Sequence, residues 1–411
     1  MNLHTETAAI NRPMLPKAAK VLLWIIGFNS LGNSLSNIFI NVYWLKITQD
    51  VSETLMFNWI SYLAWLPAFA AAGWLSKKAA RSKALWIGSL LQVLFYVAVL
   101  GLGERSANWL EALGVLYGVG SGFYWLAANV LTVDVTRPAN RDWFNGLNGI
   151  FGSLSGMFGP LLAGWVVAVM PGFAGYTTIF VAAFLCFLLS LLASFLLPAD
   201  SVPGAFEWRR MLGVWKKQRE WRQISWAFVF ISFREGVLSI VIWLWIYMAT
   251  GSENTTGNYA FVTTFLSVVV FYLIGRYGQE RHRWLFLTWG TTLLSLSLIG
   301  ITVHLNPWTL MLFAVLDAVS KPMFNAPFFT ISYNAVSRHD LKGQIRVELM
   351  VWRELALSVG RIASVGLLVW LYKATDPANT LSWFLLAVIA AGVLPVYFLR
   401  TLFNRHPSSY S

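Results

Sequence analysis

Long apolar runs alternate with short polar segments along the whole chain of 411 residues. A helix of about 20 apolar residues is long enough to cross the ~30 Å hydrocarbon core of a bilayer. The pattern therefore predicts an all-α, polytopic membrane protein with twelve transmembrane helices. The predicted spans are residues 21–45, 54–75, 84–102, 109–131, 146–170, 176–197, 225–249, 258–276, 284–304, 308–333, 346–371 and 381–402.

Composition and charge support a membrane protein and predict its orientation. Only 12% of the residues are charged, against about 25% in soluble domains. With the N-terminus inside, the outer loops contain only Lys46, Arg105 and Lys373 of the basic residues. This asymmetry predicts a multi-pass protein of the cell (plasma) membrane with both termini cytoplasmic. The net charge of +12 then indicates contact with the anionic lipid bilayer, and no nucleic acid partner is expected.

The longest polar stretch divides the chain into two sets of six predicted spans. It predicts an N-terminal six-helix bundle (1–197), a cytoplasmic amphipathic linker (198–224) and a C-terminal six-helix bundle (225–411). Trp208, Met211, Leu212 and Trp215 form one apolar stripe at helical spacing. We interpret the linker as a helix anchored at the inner membrane surface, with regulation or partner binding as the alternative.

A short internal repeat also points to two similar halves. Arg81-Ser-Lys83 precedes one predicted span, and Arg281-His-Arg283 precedes the corresponding span of the second half. Two six-helix halves related by an axis along the membrane normal would produce this repetition.

Seven charged residues lie well inside predicted spans and not at their ends, and all seven are in the second half. Each costs roughly 2.5–3.5 kcal/mol at the bilayer centre, so it persists where it has a partner or water. Their pattern predicts a polar, hydrated cavity near mid-membrane, although the pairs could also simply neutralise one another and tie helices together. The residues are Arg234, Glu235, Asp317, Lys321, Arg353, Glu354 and Arg361.

The first half contributes uncharged polar groups. Asn29, Asn33, Asn37 and Asn41 recur every four residues in the first span. Amide groups in hydrocarbon need a neighbouring helix or a water-filled cavity as partner, and both interpretations stay open for this ladder. The fourth span adds Trp125 and Asn129 after a glycine-rich run, from which we expect either substrate stacking or packing.

Two loops and one span carry residues that belong to known motifs. The second loop reads Gly73-Trp-Leu75-Ser-Lys77-Lys78-Ala-Ala80-Arg81-Ser-Lys83, and this resembles the signature loop G-x-L-x-D-x-x-G-R-x-[KR] of the major facilitator superfamily. Lys77 stands where that family has aspartate, and Ala80 where it has glycine. The loop from Asp134 to Arg141 and the Gly159-Pro160 region of the fifth span are also similar to that family.

The resemblance implies the major facilitator fold and alternating access, with gating residues at Gly73, Arg81, Asp134 and Arg141. It also implies that spans one, four, seven and ten line the central cavity, while Arg353 and Arg361 in span eleven are interpreted as ties between helices. The candidate substrate or ion site then comprises Asn33, Asn37, Trp125, Asn129, Arg234, Glu235, Asp317, Lys321 and Glu354.

These observations predict a secondary active transporter for a small, anionic or zwitterionic solute. Proton coupling would use Glu235, Asp317 or Glu354. Two alternatives remain: a translocase for an amphiphile or lipid headgroup, and a non-transporting membrane receptor. The sequence contains no Walker, zinc-binding or nucleophile-elbow motif, and Cys186 is its one cysteine. We therefore expect no enzyme activity, no cofactor and no metal, and we expect a monomer.

Overall fold

The computed structural model describes residues 15–198, 206–277, 282–303, 306–339, 345–374 and 377–405. Within these ranges the chain is almost entirely helical, and each predicted span overlaps one long helix. This confirms the predicted fold class. The helices are α1 (Lys17–Thr48), α2 (Val51–Lys78), α3 (Arg81–Leu102), α4 (Leu110–Val135), α5 (Pro138–Val169), α6 (Ala174–Ser194), α7 (Trp208–Lys217), α8 (Arg219–Thr250), α9 (Glu253–Tyr277), α10 (Arg283–Val303), α11 (Pro307–His339), α12 (Arg346–Ala374) and α13 (Pro377–Arg405).

The hydropathy of the helices distinguishes α1 and α11 from the other long ones. Within the described residues, nine segments are long and apolar enough to cross a membrane, and one of them, 81–135, contains both α3 and α4. Neither α1 nor α11 is among the nine. The asparagine ladder lowers the hydropathy of α1, and Asp317, Lys321 and two prolines act in the same way on α11.

The packing of the helices repeats between the two halves of the chain. In the first half α1 packs against α5 and α6, while α2 and α3 pack against α4. In the second half α8 packs against α12 and α13, while α9 and α10 pack against α11. This agreement matches the internal repeat seen in the sequence. The halves meet mainly where α5 contacts α9 and where α2 contacts α12.

An even number of crossings places the start of α1 and the end of α13 at the same membrane face. We call this the terminal face, and the other the opposite face. The helix α8 runs from the terminal to the opposite face, while α9 returns, α10 crosses again and α11 comes back.

The helix α7 occupies the predicted linker and packs against α8 and α12. Met211 is buried, and the Trp215 and Trp352 rings are 5.5 Å apart. Trp208 and Leu212, on the same predicted stripe, are exposed. The stripe therefore divides between helix packing and surface. Residues 199–205 lie outside the described residues.

A row of glycines joins α2 and α4. A Cβ atom on Gly118 would lie 2.2 Å from the backbone oxygen of Ser61, which is far inside van der Waals contact. Gly114 and Gly122, one turn to either side, face the α2 backbone in the same way. Small residues at such positions let membrane helices approach closely and pack by van der Waals contact.

We predict that Gly118→Ala lowers the stability of the purified protein by about 1–3 kcal/mol, because the added methyl group forces α2 and α4 apart. Gly152→Ala in α5 is the matched control, since a Cβ there would meet nothing within 4 Å among the described residues. Thermal unfolding of both variants in the same detergent tests the claim. Equal midpoints for the two variants would contradict it.

Candidate functional site

Four side chains of α8 and α11 form a closed ring of alternating charge. The Arg234 guanidinium bonds Glu235 and places Nη2 2.8 Å from Asp317 Oδ1. The Lys321 ammonium closes the ring, with Nζ 2.7 Å from Asp317 Oδ2 and 3.1 Å from Glu235 Oε2. Two cations and two carboxylates leave no net charge. We call this set (Arg234, Glu235, Lys321 and Asp317) the charge ring.

The members of the charge ring differ in exposure. The side chain of Arg234 is 0% exposed and that of Asp317 11%, whereas Glu235 and Lys321 are 31% and 32% exposed. Arg234 also donates to the backbone oxygen of Leu294 at 3.3 Å. Gly392 on α13 makes room for it, since a Cβ there would lie 3.2 Å from Arg234 Cδ. Arg234 and Asp317 thus anchor the ring, and Glu235 and Lys321 are its accessible members.

A cavity of about 220 Å³ lies beside the charge ring, between α8, α9 and α11. Asp317 and Lys321 line it together with the hydroxyl-bearing residues Ser239, Thr264 and Ser267. A Cβ on Gly156 of α5 would lie 3.3 Å from Thr264 Cγ2, so the cavity borders the interface between the halves. We call this space the polar cavity after these charged and hydroxyl groups, and apolar side chains such as Ile242 and Phe313 form the rest of its wall. A solute could enter it beside the ring.

The helix α11 continues through two prolines on the terminal side of the charge ring, Pro322 and Pro327, and α9 compensates for the first of them. Pro322 cannot donate to the carbonyl of Ala318, which would be left unsatisfied in the membrane. Ser267 Oγ on α9 donates to this oxygen at 2.9 Å. The hydroxyl on the cavity wall thus satisfies the carbonyl that the proline releases.

The asparagine ladder of α1 divides between helix contacts and open surface. Asn29 donates to Gln92 on α3 at 2.7 Å, and Asn58 on α2 donates to Asn41 at 2.6 Å. Asn33 is half-buried and donates to Asn29 Oδ1 at 2.9 Å, while Asn37 is exposed. Asn33 also accepts from the hydroxyl of Tyr117 on α4 at 3.3 Å. Three members of the ladder therefore join α1 to neighbouring helices, and Asn37 is its exposed member.

The two candidates on α4 do not lie on the cavity wall beside the charge ring. Trp125 is half-buried and meets the Tyr124 ring edge-on at 5.6 Å, within an apolar cluster. Asn129 is exposed and lines a second cavity of about 160 Å³ at the terminal face, together with Lys77, Arg81 and Asp134. Asn129 is thus grouped with the gating candidates.

Two charged side chains of α12, Glu354 and Arg361, form a pair beside the first half of the chain. Arg361 pairs with Glu354 at 2.8 Å, as their i, i+7 spacing on one helix face allows. The Arg361 guanidinium also lies 5.8 Å and 6.0 Å from the ring centres of Tyr62 and Trp65 on α2, within cation–π range. The two aromatic residues escaped the sequence analysis, because a Tyr or Trp inside an apolar span carries no distinctive signal.

The gating candidates lie at the terminal face. Arg81 forms an ion pair with Asp134, and a Cβ on Gly73 would lie 3.0 Å from Val351 of α12. The side chain of Arg141 lies outside the described residues. Each of the described candidates contacts the end of a neighbouring helix.

Lys77, the departure from the signature loop, has a carboxylate partner across the halves. Its Nζ lies 3.2 Å from Oε1 of the fully buried Glu348 on α12. The same Oε1 accepts from the backbone N–H of Glu207, just before α7. Lys77 and Glu348, which we call the terminal latch, therefore join α2, α12 and the linker.

Further ion pairs join the halves at the opposite face. Lys46 Nζ lies 2.7 Å from Glu253 Oε1, to which the hydroxyl of Tyr176 donates at 2.8 Å. A Cβ on Gly257 would lie 2.4 Å from the backbone oxygen of Pro160, so α5 and α9 are in tight contact there. Sequence analysis missed these pairs because their members stand at helix ends, where a charge is ordinary.

The glycines of α5 near the terminal face have no close neighbours among the described residues. Gly146, Gly149 and Gly152 precede Gly156 on α5, and a Cβ on any of them would meet nothing within 4 Å among the described residues. The close approaches of α5 to α9, at Gly156 and Gly164, therefore lie toward the opposite face, and Gly152 and its neighbours leave a face of α5 open near the terminal face.

Comparison with known proteins agrees with this geometry. The model of the Major Facilitator Superfamily matches residues 22–252. The chain is 35% identical over 350 residues to the uncharacterized protein YqgE of Bacillus subtilis (strain 168), which covers 85% of this chain and 81% of that protein. It is 42% identical over 179 residues to an uncharacterized protein in the sodM 3′ region of Geobacillus stearothermophilus, over 43% of this chain and 81% of that protein.

Solved structures show the same fold at low sequence identity. A peptide transporter POT in complex with sulfate superimposes with a TM-score of 0.72 at 13% identity, over 95% of both chains. A bacterial homologue of the iron transporter ferroportin, in an outward-facing state, gives 0.63 at 15% identity, over 95% of this chain and 100% of that one.

The helical fold and the polar mid-membrane cavity define a polytopic membrane transporter. The chain belongs to the Major Facilitator Superfamily. The family and the fold point to transport and not to an enzyme.

We predict that Arg234→Met lowers the free energy of unfolding by about 3–5 kcal/mol, because it leaves a buried carboxylate with one cation fewer. Lys373→Met is the matched control. Lys373 pairs with Glu53 at 3.3 Å in an exposed position, and such a pair contributes at most about 1 kcal/mol. Detergent-based unfolding measures both, and a similar loss in the two variants would contradict the anchoring role of Arg234.

The terminal latch can be tested by exchanging its charges. Lys77→Glu places a second carboxylate beside buried Glu348, and we expect a loss of about 3–5 kcal/mol. The double variant Lys77→Glu/Glu348→Lys restores opposite charges and recovers most of that stability. If the double variant is as unstable as the sum of the two single ones in thermal unfolding, the two side chains do not interact.

Proposed function

We propose that the protein is a secondary active transporter that carries a small zwitterionic or anionic solute by alternating access, with the charge ring as its binding site. The supporting observation is that the two accessible ring members, Glu235 and Lys321, carry opposite charges and lie 3.1 Å apart, and that Lys321 also lines the adjoining cavity together with Asp317. A charged solute can replace this partly exposed contact while the buried anchor between Arg234 and Asp317 stays intact.

Charge balance restricts what the ring accepts. An anion that binds Lys321 displaces it from its two carboxylate partners. Glu235 and Asp317 then share Arg234 as their one cation. A zwitterion avoids this imbalance, because its cationic group binds Glu235 while its anionic group binds Lys321. An anion achieves the same balance if Glu235 takes up a proton as its lysine partner is lost, because an unpaired charge in a low-dielectric site is costly. Proton coupling would then follow from the displacement of the lysine.

The movement would be a rocking of the two six-helix bundles, residues 1–197 and 225–411, about this site, with residues 198–224 as their tether. The ion pair of Lys46 and Glu253 would close the opposite face, and the terminal latch would hold α2 near α12 at the terminal face. The open face of α5 near Gly152 supports access from the terminal side.

We also propose that the protein lies in the plasma membrane as a monomer with both termini in the cytoplasm. This proposal is supported by the few basic residues in the loops of the opposite face, as the positive-inside rule requires. The solute would then enter or leave the cytoplasm through the open side of α5.

The test is a thermal-stabilisation screen of purified protein with zwitterionic and anionic solutes at several pH values. We expect Glu235→Gln to lower the affinity for a zwitterion about 10- to 100-fold, because one charge-assisted contact of ~1.5–3 kcal/mol is lost. An anion binds wild type less tightly as pH rises, since its binding needs a proton on Glu235. In Glu235→Gln, which mimics the protonated carboxyl, the same anion binds without pH dependence.

The control is Glu53→Gln, which removes an exposed carboxylate away from the ring and leaves both ligand types unaffected. Lys321→Met abolishes binding of either ligand type. A solute that stabilises wild type, Glu235→Gln and Lys321→Met equally would overturn the assignment of the ring as the binding site.

A further inference from the structure

An apolar groove lies between α9 and α11, apart from the polar cavity. Its volume is about 210 Å³, and the atoms that face it are almost entirely carbon. Val262 on α9 and Met311 on α11 line it and are exposed on the outer surface of the helices. The groove therefore opens toward the region that lipid occupies.

The groove and the polar cavity share a wall. Thr263 and Ala314 line both spaces. The Thr263 hydroxyl bonds the backbone oxygens of Tyr259 and Ala260 in its own helix, so it offers the groove carbon and not a polar group. The two spaces are therefore adjacent, and an elongated molecule that crosses between them beside Thr263 and Ala314 would have a charged end in the cavity and an apolar end in the groove.

Two hydrogen bonds between α9 and α11 bound the groove along the membrane normal. Ser267 donates to the oxygen of Ala318 at the level of the charge ring, and Tyr259 donates to the oxygen of Pro307 near the opposite face at 3.3 Å. Eight residues separate the two donors, which is about 12 Å of helix. This length approaches half the ~30 Å hydrocarbon core, the depth of one leaflet.

In the first half of the chain the corresponding pair of helices packs in close contact. There α2 and α4 take the places of α9 and α11, and the glycines of α4 bring the two backbones into contact, as at Gly118 and Ser61. In α11 the groove positions hold Met311, Ala314 and Val315 instead, and no glycine. The groove is therefore a feature of one half, the half that carries the charge ring.

We propose that the groove is a subsite for the apolar chain of the transported solute, which is a single-chain amphiphile with a carboxylate-bearing head group. The head group replaces the contact between Glu235 and Lys321, and the chain passes Ala314 and lies along α9 and α11. The proposal rests on the proposed function, because the head group uses the charge ring. The position next to the cavity beside the ring, the apolar lining and the 12 Å length favour this occupant over bulk lipid or a second copy of the protein.

The test uses two homologous series, n-alkanoates and 2-aminoalkanoates of four to ten carbons, bound to the full protein in lipid nanodiscs. For at least one series we expect affinity to rise about three- to fourfold for each added methylene, the value for burial of a CH₂ group. Val315→Trp fills the groove without reaching the polar cavity, and it should abolish this rise while the shortest member still binds as in wild type.

Val262→Trp on the facing wall serves as a second plug, in case the first variant does not fold. Leu296→Trp, on the exposed surface of α10 away from the groove, is the control for unspecific partition into lipid and should keep the rise. If affinity rises equally with chain length in wild type and in both plugged variants, the alkyl chains lie in bulk lipid and not in the groove. This result would overturn the groove proposal and leave the charge ring as the binding site. If no member of either series binds, or if binding survives Lys321→Met, both the groove and the ring assignments fail.

Discussion

The burial of Arg234 is the constraint on which the second half of the molecule depends. A guanidinium with no exposure cannot remain in the membrane alone, and it makes contacts with Glu235, Asp317 and the Leu294 carbonyl. These contacts fix α8, α10 and α11 around one point, and Gly392 admits the side chain beside α13. Because Arg234 takes one oxygen of each carboxylate, the other two remain for Lys321. A structural requirement thus produces a neutral site whose accessible side presents one charge of each sign.

The same principle, that each polar group must find a partner, connects this site with the rest of the fold. Pro322 frees a carbonyl that Ser267 satisfies from α9, so the cavity wall and the continuity of α11 depend on one hydroxyl. At both faces the halves meet through opposite charges, Lys77 with Glu348 and Lys46 with Glu253. Pairs of this kind can separate when water reaches them, which is the property an alternating contact between two bundles needs.

Sequence and structure agree where the signal is periodic or costly. Runs of apolar residues predict the helices, and the energetic cost of a charge in hydrocarbon identifies Arg234 and its three ring partners. The sequence could not show which asparagines of the ladder bond neighbouring helices and which are exposed. Asn29 and Asn37 follow the same spacing and differ only in the residues that face them from other helices. Tyr62, Trp65 and Glu348 were missed for a related reason: their importance lies in residues more than two hundred positions away. Local composition predicts Trp125 and Asn129 as site residues, and the structure places both away from the cavity beside the ring.

The central claim is that a neutral ring binds and releases cargo without net charge, whether as a zwitterion or as an anion with a proton. The most direct test is uptake into proteoliposomes of a solute identified by stabilisation, with and without an imposed membrane potential of about 100 mV. One unit of net charge moved would be worth about 2.3 kcal/mol at this potential, or about fiftyfold in final accumulation. The account predicts that accumulation does not change with the potential. A change of that size, in either direction, would contradict it.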